Sequence, residues 1–396
     1  MENIEKIVKK ILENVKKNGD QALLYYSKKF DNVILEKKEL IIDVKKFENS
    51  ITKIPSQILK AFQIAKKNIE YYHKKQFEKS LKNTLKISKN ELLISEKISN
   101  INKIGIYVPG GRYSYPSTIF MTVCPAKCAG SNEIIIATPK KKLTDIVKAA
   151  IFMSGATKVL CVGGAQAIAA LAFGTESVKK VDMIAGPGNA FVTEAKRQVF
   201  GKVGIDMLAG PSDILIFADE TLDLNFIATD LQAQAEHDLL SKAVLIVESK
   251  NKLILKKVRQ KISTKFLKQI EFYDKKTLDE IIDFINDFAP EHLEICSENR
   301  DKIDIILKNI KNVGAIFIGQ YTCVAMGDYF IGPSHTLPTA SSAKFSSGLS
   351  VNTFLKKTAV MEVGKTWIMK NAEYIKSIAA AEGLEFHKKS IDIRKK

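Results

Sequence analysis

The sequence predicts an α/β fold with mainly parallel sheets, and three features of the chain support this prediction. Short runs rich in β-branched residues recur with helical segments between them, as in parallel strands joined by crossover helices. Most of these runs are apolar throughout, as in strands that are covered on both faces. The 396 residues exceed what one hydrophobic core usually holds, so we expect two or more domains.

The predicted strands are short and apolar. They are residues 104–108, 133–138, 158–162, 181–185, 214–218, 243–247 and 315–318. The lysine-rich region 253–288 is predicted to be helical, and so is the tail 365–381, where Gly383 supplies a stop. In residues 319–350 the apolar side chains follow neither the spacing of a helix nor the alternation of a strand. The segment is dense in Gly, Ser, Thr and Pro, which predicts a long functional loop.

The N-terminal segment is predicted to be an amphipathic helix rather than a targeting peptide. Ile4, Ile7, Val8 and Ile11 have helical spacing, and acidic residues lie among the lysines. The longest uninterrupted apolar run, residues 167–173, is far shorter than the roughly 20 residues that a membrane span needs. We therefore expect no membrane span.

The five cysteines point to a reducing compartment, and hence to the cytoplasm. Their number is odd, and they lack the paired spacing of a disulfide scaffold or a zinc ribbon. Cys124 and Cys128 are four apart in what reads as a helix start, where burial as small apolar residues is favoured over a metal pair.

The net charge of +17 does not by itself indicate a nucleic-acid partner. The chain has five arginines, and arginine is the residue that base and phosphate recognition favours. Residues 104–247 contain 13 basic and 13 acidic side chains, so the excess lies in the lysine-rich flanks. Solvated helical faces explain such flanks, and we expect no nucleic-acid partner.

Gln234 and His237 form the strongest local signal for a metal site. They lie three apart at the end of an amphipathic helix that is predicted to begin near Asp223, so they share one helical face. Imidazole suits zinc, and a glutamine oxygen is an unusual but acceptable ligand. The alternative is a helix C-terminal His that interacts with the helix dipole, and the motif alone favours it.

Glu291 and His292 place an acid and an imidazole side by side after Pro290. Two groups with separable pKa values suit an enzyme that must take protons from an alcohol and from water. The alternative places Glu291 near a helix N-terminus with His292 on the surface, and these residues alone do not decide between the two.

The long loop and the tail add further candidates. Asp328 could ligate a metal and His335 could bind a polar substrate, although turn capping is the alternative for each. Glu382 and His387 flank Gly383, where either could be an exposed end of the last helix.

Three glycine turns follow predicted strands directly, at residues 107–111, 163–166 and 186–189. The dinucleotide motif Gly-x-Gly-x-x-Gly is absent. Glycines at strand ends let backbone amides approach phosphate or sugar, and three consecutive turns support this better than one.

Taken together, these segments resemble the histidinol dehydrogenase family. The segments IYVPGG (106–111), GPGNAFVT (186–193), AGPS (209–212) and APEHLE (289–294) look like signatures of that family, and the similarity runs from residues 19–23 to residues 379–384. The resemblance implies two incomplete Rossmann-like domains plus a helical N- and C-terminal tail that is exchanged in a homodimer.

The resemblance also implies a division of the chain. Residues 1–20 and 351–396 would form the dimerisation tail. Residues 21–103 and 215–350 would form the first domain, with the metal and proton-transfer residues. Residues 104–214 would form the second domain, with turns that contact NAD.

Residue roles follow from the same resemblance. One zinc ion per subunit is implied, with four ligands that also lie against the substrate: Gln234, His237, Asp328 and, from the other subunit, His387. Three more residues are implied to hold L-histidinol: Ser212, His335 and Glu382. Three are implied to contact NAD: Tyr107, Gln166 and Asn189. Glu291 and His292 are implied to be the catalytic proton-transfer pair.

The implied reaction is the oxidation of L-histidinol to L-histidine through a bound aldehyde, in the last two steps of histidine biosynthesis. Four electrons leave, so two NAD molecules are consumed in turn. His292 would take the hydroxyl proton, Glu291 would activate water, and zinc would position the substrate. The alternatives are a zinc hydrolase with Glu291 as its base, which leaves the glycine turns without a purpose, and a basic nucleic-acid-binding protein.

Overall fold

The computed structural model describes residues 3–110 and 115–395. The helices are α1 (Ile4–Asp31), α2 (Ser56–Lys82), α3 (Pro116–Cys128), α4 (Asp145–Ser154), α5 (Gly164–Phe173), α6 (Ala190–Val199), α7 (Leu224–His237), α8 (Leu253–Lys261), α9 (Leu278–Phe288), α10 (Arg300–Asn309), α11 (Val324–Tyr329), α12 (Lys365–Ala381) and α13 (Glu385–Asp392). The strands are β1 (Ile41–Asp43), β2 (Lys86–Lys89), β3 (Leu92–Asn100), β4 (Lys103–Tyr107), β5 (Glu133–Ala137), β6 (Lys158–Leu160), β7 (Met183–Ala185), β8 (Gly204–Ile205), β9 (Asp213–Ala218), β10 (Lys242–Glu248), β11 (Ile270–Lys275), β12 (His292–Cys296), β13 (Ala315–Ile318) and β14 (Leu355–Val363).

The first sheet has the strand order β1-β6-β5-β4-β7-β8, and only its edge strand β1 is antiparallel to its neighbour. Apolar residues of α1, α5 and α6 fill one face, and those of α3 and α4 fill the other. A strand covered on both faces needs apolar residues at every position, which explains the continuous apolar runs of the sequence.

The second sheet has the order β11-β10-β9-β12-β13 and is parallel throughout. Helices α7 and α8 cover one face, and α9 and α10 cover the other. The predicted α/β fold with mainly parallel sheets is thus confirmed.

A third, antiparallel sheet has the order β14-β3-β2 and joins the C-terminal segment to the middle of the chain. Strand β14 is exposed along nearly its whole length, and α12 and α13 pack on each other. Large apolar side chains of this tail face solvent in the single chain, among them Met361, Tyr374, Ile378 and Phe386.

Several elements differ from the sequence predictions. The region 253–288 is not helical throughout, because β11 lies between α8 and α9 and adds an edge strand to the second sheet. His292 begins strand β12 rather than a turn or a helix. Cys124 is buried as predicted and Cys128 is half-buried, but both lie in the second half of α3, which ends at Cys128, and not at a helix start. The N-terminal helix, the helix capped by Asp223 and the tail helix are confirmed.

The proposed division into domains stays a prediction, while sheet membership is a structural fact. Residues 41–43, in the segment grouped with residues 215–350, pair with β6 in the first sheet. Helix α1, which spans the boundary predicted at residue 20, packs on α5 and α6, and α2 packs on α3; these three helices cover the first sheet.

Within the described part of the chain, no helix combines the length and the apolar character that crossing a membrane requires. The five cysteines are all unpaired.

Candidate active site

The candidate site lies where opposite ends of the two parallel sheets approach each other. Two of the glycine turns follow the carboxyl ends of β4 and β7, whereas Asp213 and His292 begin β9 and β12. A hydrogen bond of 3.1 Å between Thr118 Oγ1 of α3 and His335 Nε2 of the long loop connects the two sides. We call the carboxyl edge of the first sheet, where backbone turns lie, the first wall of the site. The amino edge of the second sheet, where ionisable side chains lie, is the second wall.

Glu291 is held by Asp213 through a reciprocal pair of hydrogen bonds. The Glu291 N–H donates to Asp213 Oδ1 at 2.7 Å, and the Asp213 N–H donates to Glu291 Oε2 at 3.2 Å. The register of β9 and β12, in which His292 lies opposite Ile214, brings the two acids together. Both side chains are buried.

His292 is fixed in one tautomer by the same strand. Its Nδ1 lies 3.1 Å from the backbone carbonyl of Asp213. A carbonyl oxygen only accepts, so Nδ1 carries the proton and Nε2 keeps a lone pair. Burial lowers the pKa of His292, with an opposing contribution from the Asp328 carboxylate. The imidazole is therefore neutral and ready to accept a proton at Nε2.

The neighbouring acids are shifted in the opposite direction. Burial, and then the charge of Asp213, raises the pKa of Glu291 well above its ordinary value, against a hydrogen bond from Ser212 that lowers it. Burial raises the pKa of Asp213 to about 6. A carboxylate with a raised pKa is a stronger base once it has lost its proton.

His335 is partly buried in the long loop, with both ring nitrogens engaged. Its Nδ1 donates to the Asp328 carbonyl at 2.9 Å, so Nε2 is the acceptor for the Thr118 hydroxyl. Burial lowers its pKa. A substrate polar group that binds this Nε2 must therefore replace Thr118.

Helix α7 brings Gln234 and His237 to the same region. Gln234 is buried, and its Nε2 has no hydrogen-bond partner. His237 is the last residue of the helix and exposed. The pKa of His292, lowered mainly by burial, is lowered further by His237 and raised by Asp328, so these implied ligands act on the same buried imidazole.

Glu294 lies two residues beyond His292 on the same face of β12. Its Oε1 accepts the Val324 N–H at 2.9 Å, where α11 begins, the helix that carries Asp328. Burial and the charge of Asp230 on α7 raise the pKa of Glu294 to about 8, so this carboxyl is neutral at pH 7. Sequence reasoning did not single out Glu294, Asp230, Asp213 or Thr118.

On the opposite wall, Tyr107 and Gln166 are only 4% and 2% exposed. The Tyr107 hydroxyl accepts the Gly164 N–H at 3.0 Å, which ties the first glycine turn to the second. Asn189 is exposed and caps α6 through bonds of 3.1 Å from the amides of Phe191 and Val192. Gly111 of the first turn is outside the described residues.

The tail residues are not brought to this group within one chain. Glu382 ends α12 and His387 lies in α13, both exposed, and no hydrogen bond or ion pair among the described residues joins either to the buried side chains. Nor does any cluster of three or more His, Cys, Asp or Glu suited to a metal occur within residues 3–110 and 115–395. Of the four implied metal ligands, only Gln234, His237 and Asp328 lie in the part of one chain that surrounds the buried side chains.

The protein family of the chain is identified by its similarity to known proteins. The family model described as histidinol dehydrogenase matches residues 1–395. The chain belongs to the histidinol dehydrogenase family. A histidinol dehydrogenase of Methanocaldococcus jannaschii is 40% identical, with 100% of this chain and 93% of that protein covered. One of Listeria monocytogenes is 42% identical, with 99% and 93% covered.

A solved histidinol dehydrogenase structure from Elizabethkingia anophelis superposes with a TM-score of 0.92 at 33% identity, covering 100% of this chain and 92% of that one. The protein is therefore an oxidoreductase of histidine biosynthesis, and the zinc hydrolase alternative is not favoured. The sequence resemblance to the family is confirmed.

Proposed function

We propose that this protein is a zinc-dependent, NAD-linked dehydrogenase that oxidises L-histidinol to L-histidine through a bound L-histidinaldehyde. The observation that carries this proposal is the tautomer of His292. A buried neutral imidazole with its free lone pair beside a high-pKa carboxyl is the pair of bases that a two-step alcohol oxidation needs.

In the first step, His292 accepts the proton of the substrate hydroxyl at Nε2. The Asp213 carbonyl supports the resulting imidazolium, because its hydrogen bond to Nδ1 strengthens as the ring becomes positive. Asp328 stabilises the same charge, since its carboxylate raises the pKa of His292 against the larger effect of burial.

In the second step, Glu291 takes a proton from the water that adds to the aldehyde. Its Oε2 lies 3.8 Å from His292 Nδ1, so the two side chains are close neighbours. Ser212 bonds to the Glu291 side chain and, with His335 and Glu382, is proposed to hold the substrate. NAD, when bound, supplies the hydride acceptor for both steps, and Tyr107, Gln166 and Asn189 are its proposed contacts.

Zinc fits the residues that α7 and α11 bring to the site. Gln234 has a buried amide with an unpartnered end, and a flip of the amide would point its oxygen there. Amide oxygen, imidazole nitrogen and carboxylate oxygen are acceptable zinc ligands, and Gln234, His237 and Asp328 supply one of each. Zinc, when bound, would anchor the imidazole and amine of the substrate and so orient it.

The fourth ligand is proposed to be His387 of the partner subunit in a homodimer. In the tail of one chain Phe386 is exposed beside His387, and in the segment that follows α7 Leu239 and Leu240 are exposed. Apolar side chains on both segments support burial of the tail against a second copy. The free cysteines support a cytoplasmic location.

The experiment that tests the proposed function measures bound metal and product together. Purified protein with L-histidinol and excess NAD should form two NADH per histidinol, with about one zinc per chain. The absence of NADH from zinc-loaded dimer would sink the dehydrogenase proposal, and a ratio of one would exclude the second step.

Sharing of the site between subunits has its own test. His387→Asn and His292→Leu chains should each be inactive, and mixtures refolded together should regain roughly a quarter of the parental activity, since half of the dimers hold one complete site. Unchanged zinc content in His387→Asn removes His387 from the ligand set.

A further inference from the structure

A fully buried ion pair lies behind the third glycine turn. Lys196 is on α6 and Asp206 directly follows β8. Their side chains are 2% and 0% exposed, and the ammonium group donates a hydrogen bond to the carboxylate. Neither residue is among those that the proposed function uses.

The pair holds both backbone polar groups of Gly186. Lys196 Nζ donates to the Gly186 carbonyl at 3.0 Å, and the Gly186 N–H donates to Asp206 Oδ2 at 2.8 Å. The second carboxylate oxygen accepts the Met207 N–H at 2.7 Å. The peptide on each side of Gly186 is thereby fixed by a charged group rather than by a neighbouring strand.

Gly186 needs such support because of its conformation. Its φ is +108°, and a Cβ at this position would lie 2.3 Å from the Tyr107 carbonyl oxygen. Tyr107 in turn accepts the Gly164 amide through its hydroxyl. The ion pair therefore sets the position of a connected group of backbone turns along the carboxyl edge of the first sheet, from Gly186 through Tyr107 to Gly164.

Stability alone is a weak reason for such a pair. Removing two charges from water is costly, and well-packed apolar residues of similar volume often give equal or greater stability. We propose that Lys196 and Asp206 are positioning residues that hold the Gly186–Asn189 turn in the conformation that receives NAD. This inference rests on the proposed function, because the turn matters for catalysis only if NAD binds there.

The test compares the double variant Lys196→Met/Asp206→Leu with the parent. Removing both charges avoids leaving one buried and unpaired. The KM for NAD should rise at least roughly tenfold, because small displacements at a binding site are costly, while the KM for histidinol changes less than about twofold. Arg197→Met, which removes the ion pairs of an exposed arginine on the same helix with Glu194 and Glu5, is the matched control and should keep both KM values.

Asp206→Asn is a second variant that keeps the side-chain shape. It should also raise the KM for NAD more than the KM for histidinol. A folded double variant with the parental KM for NAD would overturn the proposal, and so would loss of folding in both variants, since the pair would then be structural. If the parent forms no NADH from histidinol, the proposed function itself fails, and that result is seen before any variant is compared.

Discussion

The two walls of the candidate site are built from different parts of the polypeptide. At the carboxyl edge of the first sheet, backbone turns face the site, and side chains such as Tyr107 and Lys196 are buried beneath them to hold their shape. At the amino edge of the second sheet, the buried side chains of Glu291, His292 and Asp213 lie at the site, and Glu291 and His292 are the proposed proton-transfer groups. The first wall is suited to binding a ligand, and the second to moving protons.

The carboxyl edge of the second sheet lies opposite the candidate site, and its charged side chains pair with one another. Parallel sheets usually bind ligands at their carboxyl ends. Here buried Asp219 accepts hydrogen bonds of 2.5 Å from both Ser297 and Thr221, and Lys302 bridges to Glu248 at 2.6 Å. Asp219, Glu248 and Lys302 thus satisfy one another, and we expect them to stabilise the fold.

The largest expected loss of activity follows a substitution in the second wall, where proton transfer is proposed. His292→Leu removes the lone pair that accepts the hydroxyl proton, and kcat/KM for histidinol should fall by about 10²- to 10⁴-fold. NADH formation measures this effect, with zinc content as the check that the metal is retained. A loss below about tenfold would contradict the assignment of His292 as the base.

Asp213→Asn should change the pH dependence of the second step. Burial and the charge of Asp213 raise the pKa of Glu291, so removing that charge lowers it. Glu291 must lose its proton to act as a base, and aldehyde oxidation should therefore persist to lower pH than in the parent. The pH profile of histidinaldehyde oxidation measures the shift, and an unchanged profile would separate Asp213 from Glu291.

Lys302→Met should affect stability without affecting catalysis. The variant leaves the Asp219 and Glu248 carboxylates without their shared cation, and the free energy of unfolding should fall by about 1 to 3 kcal/mol. Urea unfolding measures this loss. Lys250→Met, at an exposed lysine near Glu248, is the control. A large rise in either KM would show that this edge does contribute to the site.

The smallest effect on stability and on the KM for NAD is expected from a substitution in the first wall. Tyr107→Phe removes the hydroxyl that accepts the Gly164 amide, which should cost about 1 kcal/mol and raise the KM for NAD a fewfold. Thermal unfolding and NAD titration measure the two effects. A change in the KM for histidinol of the same size would remove the distinction between the two walls.

The sequence predicted the first wall of the site better than the second. Apolar runs and glycines are local signals, and they located the four central strands β4 to β7 of the first sheet and the glycine turns at residues 163–166 and 186–189, but not the edge strands β1 and β8. Strand β12 was missed because Pro290 and the acids around His292 suggest a turn, whereas the long-range pairing with β9 makes a strand of the segment. Asp213 and Thr118 were missed because their partners are 78 and 217 residues away.

By itself, the sequence determined the α/β class, the helix that presents Gln234 and His237, and the family, since these depend on periodicity and on short motifs. The tertiary structure decided which tautomer His292 adopts, which acids lie beside Glu291, and that opposite ends of the two sheets approach each other. Those properties arise from burial and from hydrogen bonds between distant segments, which no local pattern in the chain encodes.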